Sequence, residues 1–191
     1  ITREIIMIWT IIIGCGEKTT DTGSTEYIPS YVSYAGDGVS VESVNPERYL
    51  GQWYEVASTP IPAQTSCTGS TATYGLIDET TISVTNKCYL ETLDGQEYTI
   101  EGSATFQDAS YARLLVDFGF GFAAPYNVVE LDGSTGEEPY QYAAVSSIGS
   151  LWVLSRTPVL EEDVLNELLQ RLEDNGHPVD RLNFTLQATS E

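Results

Sequence analysis

The sequence predicts an all-β fold with one C-terminal helix: an eight-stranded antiparallel up-and-down β-barrel, with the helix packed on its outside. Three observations point to it. From Gln52 to Ser155, apolar and polar residues alternate in short runs divided by turn residues, the pattern of strands with one dry and one wet face. Between Leu160 and Leu172 the apolar spacing becomes helical. Before the first strand, a capped helical turn runs through Gly51 straight into Trp53, a large side chain suited to plugging one end of a closed β-structure.

In chain order, Asn45 is a good N-cap, Pro46 suits the first helical position and Gly51 suits the residue past a helix end. From Gln52 the pattern is extended through Trp53, Tyr54 and Val56, and Ser58, Thr59 and Pro60 end the run. Thr71 to Ile77 and Thr81 to Tyr89 flank the turn Asp78-Glu79-Thr80. After the turn Leu93-Asp94-Gly95-Gln96, the residues Tyr98, Ile100, Gly102, Ala104 and Phe106 alternate with polar ones. Ala112, Leu114, Val116 and Phe118 repeat the pattern, and a glycine-rich loop leads to Tyr126 to Leu131. Tyr140 to Val145 and Leu151 to Ser155 complete eight strands. A hairpin series of this kind hides its edges by closing on itself. Eight strands leave room for packed side chains or one small ligand. Leu160, Val164, Leu165, Leu168, Leu169 and Leu172 then share one helical face, which implies packing against the barrel wall. Glu161, Glu162 and Asp163 favour the helix start, Asn175-Gly176 stops it, and a last strand runs from Arg181 to Gln187.

The chain has 191 residues and divides into three stretches: 1–14, 15–43 and 44–191. Residues 5 to 14 are an unbroken apolar run, too short to span a bilayer and of the length of a signal-peptide hydrophobic region. The run ends in Ile12-Ile13-Gly14-Cys15, which resembles a bacterial lipobox, where the cysteine becomes lipid-modified and N-terminal. Residues 15–43, rich in Thr, Ser, Gly and Asp, read as a flexible tether from Cys15, with Tyr27, Tyr31 and Tyr34 able to dock on the barrel. Eight Lys and Arg stand against 28 Asp and Glu, a net charge of -20. Phosphate contacts need clustered cations, so nucleic acid is not the partner. The bland reading of the charge is an acidic, solvated surface.

Three cysteines are an odd number for an exported chain. If Cys15 carries lipid, Cys67 and Cys88 remain, and they approach each other across the first hairpin. A disulfide there would close a loop of about 21 residues, worth on the order of 3 kcal/mol in the chain-entropy model. Two free thiols are the alternative.

Gly51-Gln52-Trp53 looks like the Gly-x-Trp motif of the lipocalins. "RYLGQWYEVA" and "TATYGL…ISVTNKC" resemble the bacterial lipoprotein branch of that family, which is related to apolipoprotein D. "YNVVELD" (126–132) sits at the family's second conserved block, and "LWVLSRTP" (151–158), with Arg156, at its third. The resemblance covers roughly residues 43–188. It implies that Gly51, Trp53 and Arg156 are structural, with the Arg156 guanidinium packed over the Trp53 indole to close one barrel end. It also implies a binding protein that stores or transports a small apolar ligand such as a fatty acid or lysophospholipid. Two departures, Ser58 in "EVAS" and the loop "IPAQTSCTGS", lie near the expected mouth, so ligand identity does not carry over.

An inward Trp53 sends Glu55 and Ala57 inward too by period two. Tyr74, Val84, Ile100, Val116, Tyr126 and Tyr142 are the lining expected from the other strands. The rival reading is a lipocalin-fold isomerase or redox enzyme using a cavity thiol or carboxylate; a third is a structural lipoprotein with a filled barrel. The sequence shows no nucleophile elbow, metal-ligand cluster or phosphate loop, and its one histidine, His177, follows the helix. The expectation is therefore no enzyme, no cofactor and no metal. Cys15, followed by Gly16, implies anchoring of the acylated (palmitate-bearing) chain in the bacterial outer membrane, on its periplasmic face.

Overall fold

The computed structural model describes residues 39–188. The expected signal segment 1–14, the lipid site Cys15, the tyrosines Tyr27, Tyr31 and Tyr34 and most of the tether lie outside the described residues. The chain is already held to the barrel before the expected boundary at residue 44, because Val41 N donates to Val128 O at 2.9 Å.

Helix α1 is the short turn Pro46–Tyr49. The Asn45 side chain accepts from Arg48 N at 3.4 Å, which satisfies one of the free donors of a helix start. Gly51 follows with φ +93°, a left-handed conformation that strains any side chain bearing a Cβ, and it turns the chain into strand β1 (Gly51–Ser58).

The next strands are β2 (Cys67–Leu76), β3 (Thr81–Leu90), β4 (Glu97–Phe106) and β5 (Arg113–Asp117). They are followed by β6 (Ala123–Leu131), β7 (Tyr142–Ser147) and β8 (Ser150–Ser155). Each pairs antiparallel with its successor, and β1 pairs with both β8 and β2, so the eight strands close into a ring. Cys67 and Cys88 are joined by a disulfide on the β2–β3 hairpin.

The ring has one seam. β1 pairs with β2 only from Gly51↔Tyr74 to Tyr54↔Thr71. Beyond that the two part, and strand β9 (Asn183–Phe184) pairs with Ala57 and Ser58 instead. Thr185 N then donates to Val56 O at 2.9 Å, and Gly69 N donates to Leu186 O at 2.7 Å. Gln187 Nε2 reaches both walls, at 2.9 Å from Glu55 O and 2.8 Å from Ser70 O. The expected last strand is thus an extended filler between β1 and β2; it is regular only at Asn183–Phe184, because Val179–Arg181 forms a 3-10 turn.

Helix α2 (Glu162–Asp174) covers the outer face of β1, β6, β7 and β8. Leu168 and Leu172 are fully buried there against Val56, Ala57, Val129, Ala144, Leu151 and Val153. Each such leucine contributes about 1.5–3 kcal/mol of burial. Arg171 fixes the helix to the wall by donating to Glu130 Oε2 at 3.1 Å and to Tyr142 Oη at 3.3 Å.

This outer core corrects two expected cavity residues. A β-bulge between Glu55 and Ala57 inserts an extra residue into β1, so Ala57 turns outward beneath α2 although Trp53 and Glu55 point inward. Tyr142 also faces α2, and its neighbour Ala143 points to the interior. Where a wall is buried on both faces, alternation of polarity no longer marks the inner one.

Candidate functional site

Trp53 seals one end of the barrel and is completely buried. The Arg156 guanidinium lies over its indole at 3.7 Å from the ring centroid. Every donor nitrogen of Arg156 is used. Nε donates to Tyr140 O at 3.0 Å and Nη1 to Gln52 O at 2.7 Å. Nη2 donates to the carbonyls of Arg48, Tyr49 and Leu50 at 3.0, 3.2 and 2.9 Å, the free acceptors at the end of α1. The Trp53 Nε1–H adds a bond to Tyr49 O at 2.8 Å. A Cβ on Gly51 would stand 3.5 Å from Arg156 Nη1, an ordinary contact, so the need for glycine is conformational. Arg48 completes this end by stacking on Tyr140 and donating to the carbonyls of Glu138 and Ser134.

Above the seal lies a cavity of about 380 Å³, within the size range of small-molecule sites. Six of the eight expected lining residues are on its wall: Glu55, Tyr74, Val84, Ile100, Val116 and Tyr126. Ala57 and Tyr142 are not, for the reasons given above. The wall also holds Ala72, Asn86, Val145, Trp152 and Leu154, which the sequence reading had not singled out. The mouth is bordered by Ile61, Ala63 and Gln64 of a 3-10 turn, by Lys87 and by Tyr98 and Phe120. Phe120, in the glycine-rich loop between β5 and β6, is 68% exposed.

At the inner end the hydroxyls of three tyrosines meet. Tyr49 Oη lies 2.8 Å from Tyr126 Oη, and Tyr74 Oη lies 2.9 Å from it. Burial raises the pKa of all three phenols, that of Tyr74 to about 12, so each keeps its proton at neutral pH. Tyr49 comes from α1 rather than a strand, and no strand-based pattern could have assigned it to this cluster.

Among the described residues, Glu55 is the one acid on the wall. Thr185 Oγ1 donates to its Oε1 at 2.5 Å and Ser58 Oγ at 3.1 Å. Burial raises its pKa, and these two hydrogen bonds offset the rise only in part. Lys87 at the mouth sits 3.3 Å from Tyr89 Oη and 3.5 Å from Glu97 Oε2.

The Lipocalin-like domain model matches residues 44–187. The outer membrane lipoprotein Blc of Citrobacter freundii is 35% identical over 180 residues, 93% of this chain and 90% of that protein. Bovine apolipoprotein D is 30% identical over 153 residues, 76% of this chain and 78% of that protein. In fold, the chain superposes on insecticyanin of the tobacco hornworm Manduca sexta with a TM-score of 0.63 at 21% identity, covering 84% of this chain and 89% of that one. A closed eight-stranded barrel with a sealed end, an outer helix and these relatives place the chain in the lipocalin family, beside the Blc lipoproteins and apolipoprotein D.

Proposed function

We propose that this lipocalin binds a single small hydrophobic guest in the barrel cavity, and that the guest is a fatty acid or lysophospholipid with its chain inside. One observation carries the reading: a cavity of about 380 Å³ walled by Val84, Ile100, Val116, Trp152 and Leu154 and open at the end away from Trp53. Burying the chain supplies about 0.8 kcal/mol per methylene. The charged groups of the lining set the polarity of insertion. Lys87 stands at the mouth, its side chain partly solvent-exposed, where it suits an anionic head, and Glu55 is buried on the wall, where it opposes one. Binding rather than catalysis is supported by the disulfide, which takes the thiols of Cys67 and Cys88 out of nucleophilic chemistry, and by His177, which is not part of the wall.

The test is displacement of a fluorescent dansyl fatty acid by palmitate and by lysophosphatidylcholine. Both should compete. Ala124→Trp, on the cavity wall opposite Val116 in the mouth half of β6 and away from the seal, should abolish binding while leaving the melting temperature within a few degrees. Undiminished binding in that variant would sink the reading.

Anchoring in a bacterial outer membrane through Cys15 belongs to the same proposal. It is supported by the lipobox-like stretch and by the name of the Citrobacter relative, whose match reaches into the segment before residue 39. Expressed in a bacterium with an alkyne-tagged palmitate, the chain should take up label and fractionate with the outer membrane, whereas Cys15→Ser should do neither. An unlabelled wild-type chain refutes the anchor.

A further inference from the structure

We propose that the tyrosines at the inner end of the cavity form a subsite for one uncharged oxygen carried by the buried end of the guest, and that this subsite rejects a carboxylate. The inference rests on the cavity-binding reading and adds a specificity to it. It follows from counting protons. Tyr49, Tyr74 and Tyr126 bring three hydroxyl protons, and two hydrogen bonds join them, at 2.8 and 2.9 Å. Three protons less two bonds leaves one O–H donor whichever way the bonds run. The hydroxyls make no other hydrogen bond among the described residues. Tyr74 and Tyr126 are on the cavity wall, so the spare proton can be presented to a guest.

A second observation agrees. Asn86 lies two ladder pairs closer to the mouth, opposite Ala72, where Val84 is opposite Tyr74. That step is about 6.6 Å along the strand. Asn86 is on the cavity wall and its Oδ1 is buried with no hydrogen-bond partner among the described residues. The inner half of the chamber is therefore polar on two levels.

One neutral donor decides which oxygen fits. A ketone or ether needs a single donor in place of water, and an alcohol can also donate to a phenol oxygen. A carboxylate has about four acceptor sites and a full charge to desolvate, and one phenol cannot replace its water shell. A bare methyl end leaves the donor unmet. Guests should therefore rank as inner ketone or alcohol, then methyl, then carboxylate.

The experiment compares three acids of one length by displacement of the dansyl probe from the full-length protein. They are palmitate, palmitate with a ketone on the carbon next to its terminal methyl, and hexadecanedioate. The keto acid should bind about threefold to tenfold tighter than palmitate, and the dioate weaker than either. The proton count also makes a prediction that mere contact would not. Tyr74→Phe should keep the preference for the keto acid, because two hydroxyls sharing one bond still leave one donor. The triple variant Tyr49→Phe, Tyr74→Phe, Tyr126→Phe should bring the ratio of keto acid to palmitate affinity to about one, with palmitate still bound. If palmitate equals the keto acid in the wild type, or the dioate matches it, the subsite is refuted and the cavity reading stands. If none of the three displaces the probe, both fall. The wild-type ranking decides even where the triple variant does not fold.

Discussion

At the scale of single residues, Arg156 shows how one side chain closes a barrel. Its guanidinium carries a cation–π contact to Trp53 and hydrogen bonds to five backbone carbonyls around α1, β1 and Tyr140. A lysine has one compact ammonium and cannot span those acceptors. Arg156→Ala and Arg156→Lys should each lower stability by roughly 2–4 kcal/mol in urea unfolding, since buried carbonyls lose their donors. A loss under about 0.5 kcal/mol in both would mean that the seal holds without it. Glu55 gives a pH test. Burial, the largest cause, raises its folded pKa above that of the unfolded chain, so the folded state binds the proton more tightly. Its contribution is therefore favourable at acid pH and is lost as pH rises through the ordinary carboxylate range to the raised value. Glu55→Gln keeps an acceptor for Thr185 and Ser58 without the charge. The melting-temperature difference between Glu55→Gln and wild type should widen in favour of glutamine from pH 4 to pH 8. A difference independent of pH would show that Glu55 does not titrate in this way.

At the scale of elements, the seam between β1 and β2 depends on the C-terminal segment. Gln187 bonds a carbonyl on each wall, Glu55 O and Ser70 O, and Thr185 bonds Val56 O and the Glu55 carboxylate. Gln187→Ala strands two inward-lying carbonyls and should cost about 1–2 kcal/mol. Amide exchange should quicken first at residues 55–58 and 67–70, the margins of the seam; uniform acceleration along the chain would argue against a local role. The same region shows where sequence reading stops. Period two carried Trp53 and Glu55 inward correctly, then failed at Ala57, because a bulge is set by the pairing partner and not by the residues in the run. Tyr142 was misplaced for a related reason: β7 is covered by α2 on one side and lined by the cavity on the other, and Ala143, Ala144 and Val145 are buried alike. The leucine face of α2, in contrast, was legible, because a helix buried on one side keeps its 3.6-residue pattern.

At the scale of the whole molecule, where the net charge is -20, the acids of the described residues lie at the surface except Glu55 and Asp132, which are buried. Self-repulsion of that surface opposes folding and is screened over about 8–10 Å in physiological salt. The melting temperature should climb by several degrees between about 0.01 M and 0.15 M sodium chloride; a flat or falling curve would show that the charges are already neutralised. Strand order, helix, sealed end and family were written in the sequence by patterns that are local: alternation, helical spacing, a cap and the Gly51-Gln52-Trp53 run. Only the tertiary structure decided which face of β7 meets the guest, how β9 mends the ring and that a tyrosine from α1 joins two from the wall. Those depend on contacts between residues far apart in the chain, as with Tyr49 and Tyr126, and no short stretch of sequence encodes them.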